Sequence, residues 1–151
     1  MASTYRTARK KIVDALVKEL NLRINGVSPY NSNIFNGAEG RLKFLDQIQE
    51  YPHICVVAGD ETRQYQPDGF KWRFLQIDIR CYINDESDPQ ETLALLMEDI
   101  ERVIDNNDVL TYDDTVSPAL TTTSLTLQTL TTDEGALAPI GIGSMILECR
   151  Y

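Results

Sequence analysis

The sequence predicts an α+β fold: an antiparallel or mixed β-sheet of about four to six strands, flanked by two main α-helices, in one domain over residues 1–151. Two neighbouring stretches predict it most directly. From Lys71 to Asn84, Leu75, Ile77, Ile79, Cys81 and Ile83 fall on alternate positions. Trp72, Phe74, Gln76, Asp78, Arg80 and Tyr82 occupy the opposite face, so the run has the period of a strand with one face on a core. After the turn Asn84-Asp85-Glu86-Ser87, Asp88 is placed to cap a helix, Pro89 suits its first position, and Glu91 follows the cap by three residues. Leu93, Leu96, Met97, Ile100, Val103 and Ile104 then repeat at helical spacing. The remaining face, with Glu98, Asp99, Glu101 and Asp105, is left for water or a partner.

Composition narrows the function classes. With 151 residues and 42% hydrophobic content, the chain can bury a sizeable core. It has no apolar run long enough to span a membrane. The charged N-terminus lacks a following apolar block, so no secretory signal is expected. Cys55, Cys81 and Cys149 are odd in number, widely spaced and set in apolar runs. They read as buried reduced thiols and not as a zinc site. The formal net charge is −9, divided into +3 over residues 1–50 and −12 over residues 51–151. The acidic body argues against nucleic-acid binding, which needs a cationic footprint. A basic first segment beside an acidic body suits attraction between subunits, or two ordinary solvated faces.

In chain order, Ser3 or Thr4 opens a helix to about Leu22. Tyr5, Ala8, Ile12, Ala15, Leu16 and Leu20 form its apolar stripe. Arg6, Arg9, Lys10 and Lys11 crowd its first turns against the helix dipole, a cost that a neighbour such as an acidic residue can offset. Asn25-Gly26 signals a turn. Residues 28–40 read as a loop with Ile34 and Phe35 as isolated apolar points, able to order against a neighbouring subunit or to be held by their own aromatics. Arg41–Glu50 allows one or two helical turns, ended by Tyr51-Pro52.

His53–Ala58 reads as a buried strand, and Gly59–Gly69 as a polar connection into the next one. Asp105–Asp108 ends the second helix. Val109, Leu110 and Tyr112 form a short strand, and Leu120–Thr131 a long strand, partly solvent-facing or at an edge, in which Leu130 falls one position out of step with Leu125 and Leu127. Thr131–Gly135 is a polar corner. Ile140–Tyr151 is a final strand whose Gly141 and Gly143 imply close backbone approach or a bend. There is no Gly-rich phosphate loop, nucleophile elbow, metal-ligand spacing or internal repeat.

The order of short motifs adds a family. An N-terminal amphipathic helix leads to Phe44, Ile48 and Tyr51-Pro52. Then come Gly59-Asp60-Glu61-Thr62, Gln64-Tyr65, Pro67, Gly69 and Trp72-Arg73-Phe74-Leu75. Asp99-Ile100, Val103-Ile104-Asp105, Thr132-Asp133-Glu134-Gly135, Ala138-Pro139 and Arg150-Tyr151 follow. In this order and over most of its length, the chain resembles the tail terminator proteins of long-tailed bacteriophages. The resemblance implies a non-enzymatic virion protein without a cofactor, made in the host cytoplasm. It would form a hexameric ring on the last ring of tail-tube protein, stop tube growth, and face a head-completion or stopper protein. DNA would pass through its lumen without specific binding, and no membrane is involved.

Within that frame, Arg6, Arg9 and Lys10 on one side and Glu98 and Asp99 on the other are candidate subunit-interface residues. Arg63, Tyr65, Asp133, Glu134 and Gly135 are candidates for contact with the tube or lumen. The Glu61–Gly69 segment is expected to order on assembly. The competing readings are another neck protein of the stopper or head-completion kind, a cellular adaptor domain, and a small enzyme using Asp60, Glu61 and His53, which would have to converge in a pocket.

Overall fold

Strand β3 (Lys71–Asn84) is the centre of the molecule. A computed structural model describes residues 7–151. On one side β3 pairs antiparallel with β2 (His53–Tyr65), on the other with β7 (Ile140–Arg150). Strand β6 (Ser124–Thr132) adds antiparallel to β7, and the two-residue β1 (Ala38–Glu39) adds parallel to β2. The sheet order is therefore β1-β2-β3-β7-β6. A separate two-stranded piece joins β4 (Thr111–Asp113) to β5 (Leu120–Thr121), so the expected continuous strand from Leu120 is broken in two. Thr122 is the reason: its buried hydroxyl accepts from the Leu110 N–H at 2.8 Å and donates to the Asp108 carbonyl, pinning the chain between the two sheets.

Both helices lie on one face of the main sheet. Helix α2 (Pro89–Asn106) starts as its residues dictate: the Asp88 carboxylate accepts from the Glu91 N–H at 3.2 Å, with Pro89 at the first position. Its stripe from Leu93 to Ile104 is buried on β3 and β7. Gly143 permits the approach, because a Cβ there would stand 2.8 Å from Met97 Sδ and 2.9 Å from Cys81 Sγ. Helix α1 (Ala8–Arg23) buries Ile12, Val13, Leu16 and Leu20. Thr7 is its cap, accepting from the Lys10 N–H. The expected opening at Ser3 or Thr4 lies outside the described residues. Each such buried aliphatic side chain contributes up to about 1.5–3 kcal/mol.

Two irregularities reset the pattern of the outer strands. An extra residue at Gln128 bulges β6, so Leu125, Leu127 and Leu130 oppose Cys149, Leu147 and Met145 on the same face. The misplaced Leu130 of the sequence is thereby back in step. A second bulge between Ala58 and Glu61 does the same in β2. Among the described residues, the far face of the sheet is covered only at one end. There a single 3-10 turn, Leu45–Gln47, brings Ile48 onto Cys55 and Tyr82. The three cysteines are free and buried, and burial pushes the Cys81 and Cys149 thiols up to about 12.

Candidate functional site

The residues predicted to meet the tube or lumen divide into two groups at opposite ends of the sheet. Strand β2 continues through the stretch expected to be a polar connection, and only Gln66–Phe70 forms the turn to β3. Pro67-Asp68-Gly69 explains the turn: the Gly69 N–H donates to the Gln66 carbonyl, and Gly69 takes φ +85° with open space around it. Strand β7 stays beside β3 only as far as the Arg73–Tyr151 backbone pair. The hairpin of residues 64–72 therefore projects beyond the main sheet.

Its tip is aromatic. Tyr65 is 72% and Phe70 49% exposed, and Phe70 packs edge-on against Trp72 at 4.8 Å between ring centroids. Lys71 lies over the Tyr65 ring and Arg150 over Trp72. Arg63, exposed, pairs with Glu61 at 2.5 Å. Glu61 in turn accepts from the Tyr151 hydroxyl at 2.6 Å. Burial and this carboxylate together raise the Tyr151 pKa. The base of the hairpin is thus braced while its tip is bare. Phe70 and Trp72 complete this surface with Tyr65. The sequence offered a signal for them in aromatic residues on both sides of a Pro-Asp-Gly turn.

Asp133, Glu134 and Gly135 sit at the other end, in the β6–β7 corner, roughly 40 Å away along β3. The Asp133 N–H donates to the Ile142 carbonyl. Its carboxylate accepts from the Gly135 N–H and the Gln90 side chain, and these bonds hold it below the usual carboxylate range against its own burial. Glu134 and Gly135 both take positive φ, at 56° and 85°. The structure therefore separates Arg63 and Tyr65 from Asp133, Glu134 and Gly135, and one flat contact cannot include all five.

The charged-interface residues are largely engaged within the chain. Arg9 donates to the Gly59 carbonyl, at the β2 bulge. Lys10 pairs with Asp14 at 3.1 Å, and Lys11 with Asp113 at 2.7 Å. Lys11, together with Thr115, lowers the Asp113 pKa to about 2. These carboxylates are the acidic neighbours that the basic first turns require. Arg6 lies outside the described residues.

Glu98 is exposed and pairs with Arg102. Asp99 corrects the expected acidic face of α2, because it is fully buried. Its carboxylate accepts from the backbone N–H groups of Asn31 (2.9 Å) and Ser32 (2.7 Å) and from the Asn31 side chain. It anchors the 28–34 loop, and Ile34 follows it into the core while Phe35 stays 74% exposed.

The enzyme reading required Asp60, Glu61 and His53 to converge. They do not: His53 pairs with Tyr82 and Glu61 with Leu75, roughly 25 Å apart along β2. His53 belongs to another cluster, where Glu39, His53 and Cys55 place their donor atoms within 4.8 Å of one another. That is a metal-sized group. However, the Glu39 carboxylate already meets Lys43 at 3.3 Å, His53 at 3.2 Å and Arg41 at 3.7 Å. Its charge is balanced by cations, which oppose a metal ion, so the cluster reads as a brace between β1 and β2.

A family model described as Bacteriophage Tail Tube Terminator Protein matches residues 6–151. The chain belongs to this family. The tail tube terminator protein p142 of Escherichia phage T5 is 34% identical over 151 residues, covering 95% of this chain and 92% of that protein. Family membership makes the chain a structural component of a phage tail and turns attention from pockets to surfaces. The exposed aromatic hairpin and the β6–β7 corner lie at opposite ends of β3.

Proposed function

We propose that the chain, as one unit over residues 1–151, caps the end of a tail tube as a ring, stops tube polymerisation, and offers its other rim to a head-completion protein. It is made and assembled in the host cytoplasm, acts as a scaffold with no catalytic step, and lets DNA pass through its lumen. The observation that carries this reading is the separation of two dissimilar ends along β3 in a member of the terminator family. A cap needs one end that binds the tube strongly and another that does not template more tube.

The aromatic hairpin is the tube-facing end. Tyr65, Phe70 and Trp72 offer ring area at low entropic cost, and Arg63 stands beside them. The corner with Asp133, Glu134 and Gly135 lies at the opposite rim, where negative charge discourages DNA from sticking. Lys10 and Glu98 lie on the exposed flanks as secondary subunit contacts.

The test is tube assembly in vitro. Tube protein is polymerised with this chain or with the double variant Tyr65→Ala/Phe70→Ala, and tube lengths are measured by electron microscopy. Wild type should give short tubes with capped ends, and the variant long, uncapped ones. Equal capping by both would remove the hairpin from the tube contact, and no effect of wild type on length would remove the terminator reading.

A further inference from the structure

We infer that the ring closes by β-sheet continuation, with β6 of one copy adding antiparallel to the outer edge of β2 of the next. This deepens the ring reading above and rests on it.

The main sheet has two open edges of matching length, offset along the strands because Leu130 lies level with Val56 through Met145 and Ile79, so pairing them tilts the strands against the ring axis, as strands tilt in a closed barrel. On one side β1 pairs only with Ile54 and Cys55, so among the described residues Asp60–Tyr65 have no backbone partner on the side away from β3. On the other side the start of β6 is covered, because the Leu125 N–H donates to the Asp108 carboxylate at 3.0 Å. From Leu127 to Thr132 the side away from β7 has no backbone partner among the described residues. Residues 128–132 are all exposed, including Leu130 at 44%. Open edges are templates for another strand, and proteins that keep them unpaired blunt them with lysine, proline or charge. The segment Ser124–Thr132 contains no charged residue and no proline. It is rich in threonine and leucine.

Strand direction selects the partner. Along the sheet β2 runs up, β3 down, β7 up and β6 down. If the next copy follows in the same orientation, its β2 runs up beside a β6 that runs down, and the new pair is antiparallel, like the three long pairings within each chain. Every copy then gives one edge and receives at the other. This is a heterologous contact that closes by rotation and leaves no edge open. Pairing of β6 with β6 would instead be isologous and stop at a dimer. In the ring the sheets form one continuous wall, with the aromatic hairpins at one rim and the β6–β7 corners at the other.

Residue parity gives the experiment. The Asp133 N–H points to β7, so by alternation Leu130 and Thr132 point their backbone groups outward. Proline is tolerated on an edge strand but removes the donor a new strand needs. Leu130→Pro should keep the wild-type circular dichroism spectrum, lose the ring in light scattering with tail tubes present, and fail to cap them. Because that variant could also fail by unfolding, Leu130→Cys is combined in turn with Thr62→Cys, Arg63→Cys and Gln64→Cys. The native cysteines are all buried. At least one pair, oxidised in the presence of tubes, should give a covalent ladder extending beyond dimer, while Leu130→Cys alone stays monomeric. A wild-type ring in which none of the pairs cross-links would overturn edge pairing and leave the terminator reading standing. A dimer from Leu130→Cys alone would replace it with the isologous contact. A wild type that neither forms rings nor caps tubes would remove both readings.

Discussion

The two parts of β3 differ in what surrounds them. From Leu75 to Ile83 the strand lies between β2 and β7 under α2, and every core-facing side chain is at most 1% exposed. From Lys71 to Trp72 the same strand has, among the described residues, β2 as its one strand neighbour and ends in a bare aromatic tip. Alternation of side chains continues through both parts, but its use changes. In the first part it buries aliphatic area that stabilises the fold; in the second it displays rings that add little to the monomer. In the proposed function, the exposed aromatic area on this braced hairpin is what the tube covers.

That difference can be sharpened by substitution. The largest effect belongs to the embedded part: Ile77→Ala should cost about 2–5 kcal/mol in urea unfolding, since Ile77 is fully buried at mid-sheet. Next is the loop anchor. Asp99→Ala strands the Asn31 and Ser32 donors, should cost about 2–3 kcal/mol, and should raise hydrogen exchange over residues 28–34 specifically. Loss of the α2 cap in Asp88→Ala should cost about 1 kcal/mol.

A smaller effect is expected from pH. Burial lowers the His53 pKa below 6.5, against the pull of Glu39. The unfolded chain therefore takes up the proton first, so this contribution to stability is present above about pH 6.5 and is lost as the pH falls through the folded-state value. His53→Gln should flatten the fall in Tm between about pH 7 and pH 5. The smallest stability effect belongs to the projecting part: Tyr65→Ala should change unfolding by less than about 0.5 kcal/mol. A large loss there would mean that the hairpin is part of the core after all.

How legible each part was in the sequence follows the same division. The α2 cap, the alternation of β3 and β7, and the glycine at Gly143 were readable because each rests on local spacing. The bulges at Gln128 and Gly59-Asp60 were not, since a bulge is a property of the pair; Leu130 out of step was its only trace. The polar run Glu61–Tyr65 hid a strand because neither face of an exposed hairpin needs apolar residues. Asp99 was misplaced on the outer face because three donors, two of them backbone N–H groups, come from a loop 67 and 68 residues away in sequence. Arg9 and Lys10 were visible as charges, but their partners, the Gly59 carbonyl and Asp14, depend on packing and on side-chain geometry. For the proposed tube contact, Arg63 and Tyr65 were named from the sequence, whereas their separation from Asp133–Gly135 required the sheet order.

The most direct test of the account is the length distribution of tail tubes grown with the Tyr65→Ala/Phe70→Ala variant, whose folding is first verified by its urea midpoint. The account predicts a wild-type midpoint together with tubes as long as those grown without any terminator. A variant that folds normally and still caps tubes at the wild-type length would contradict it.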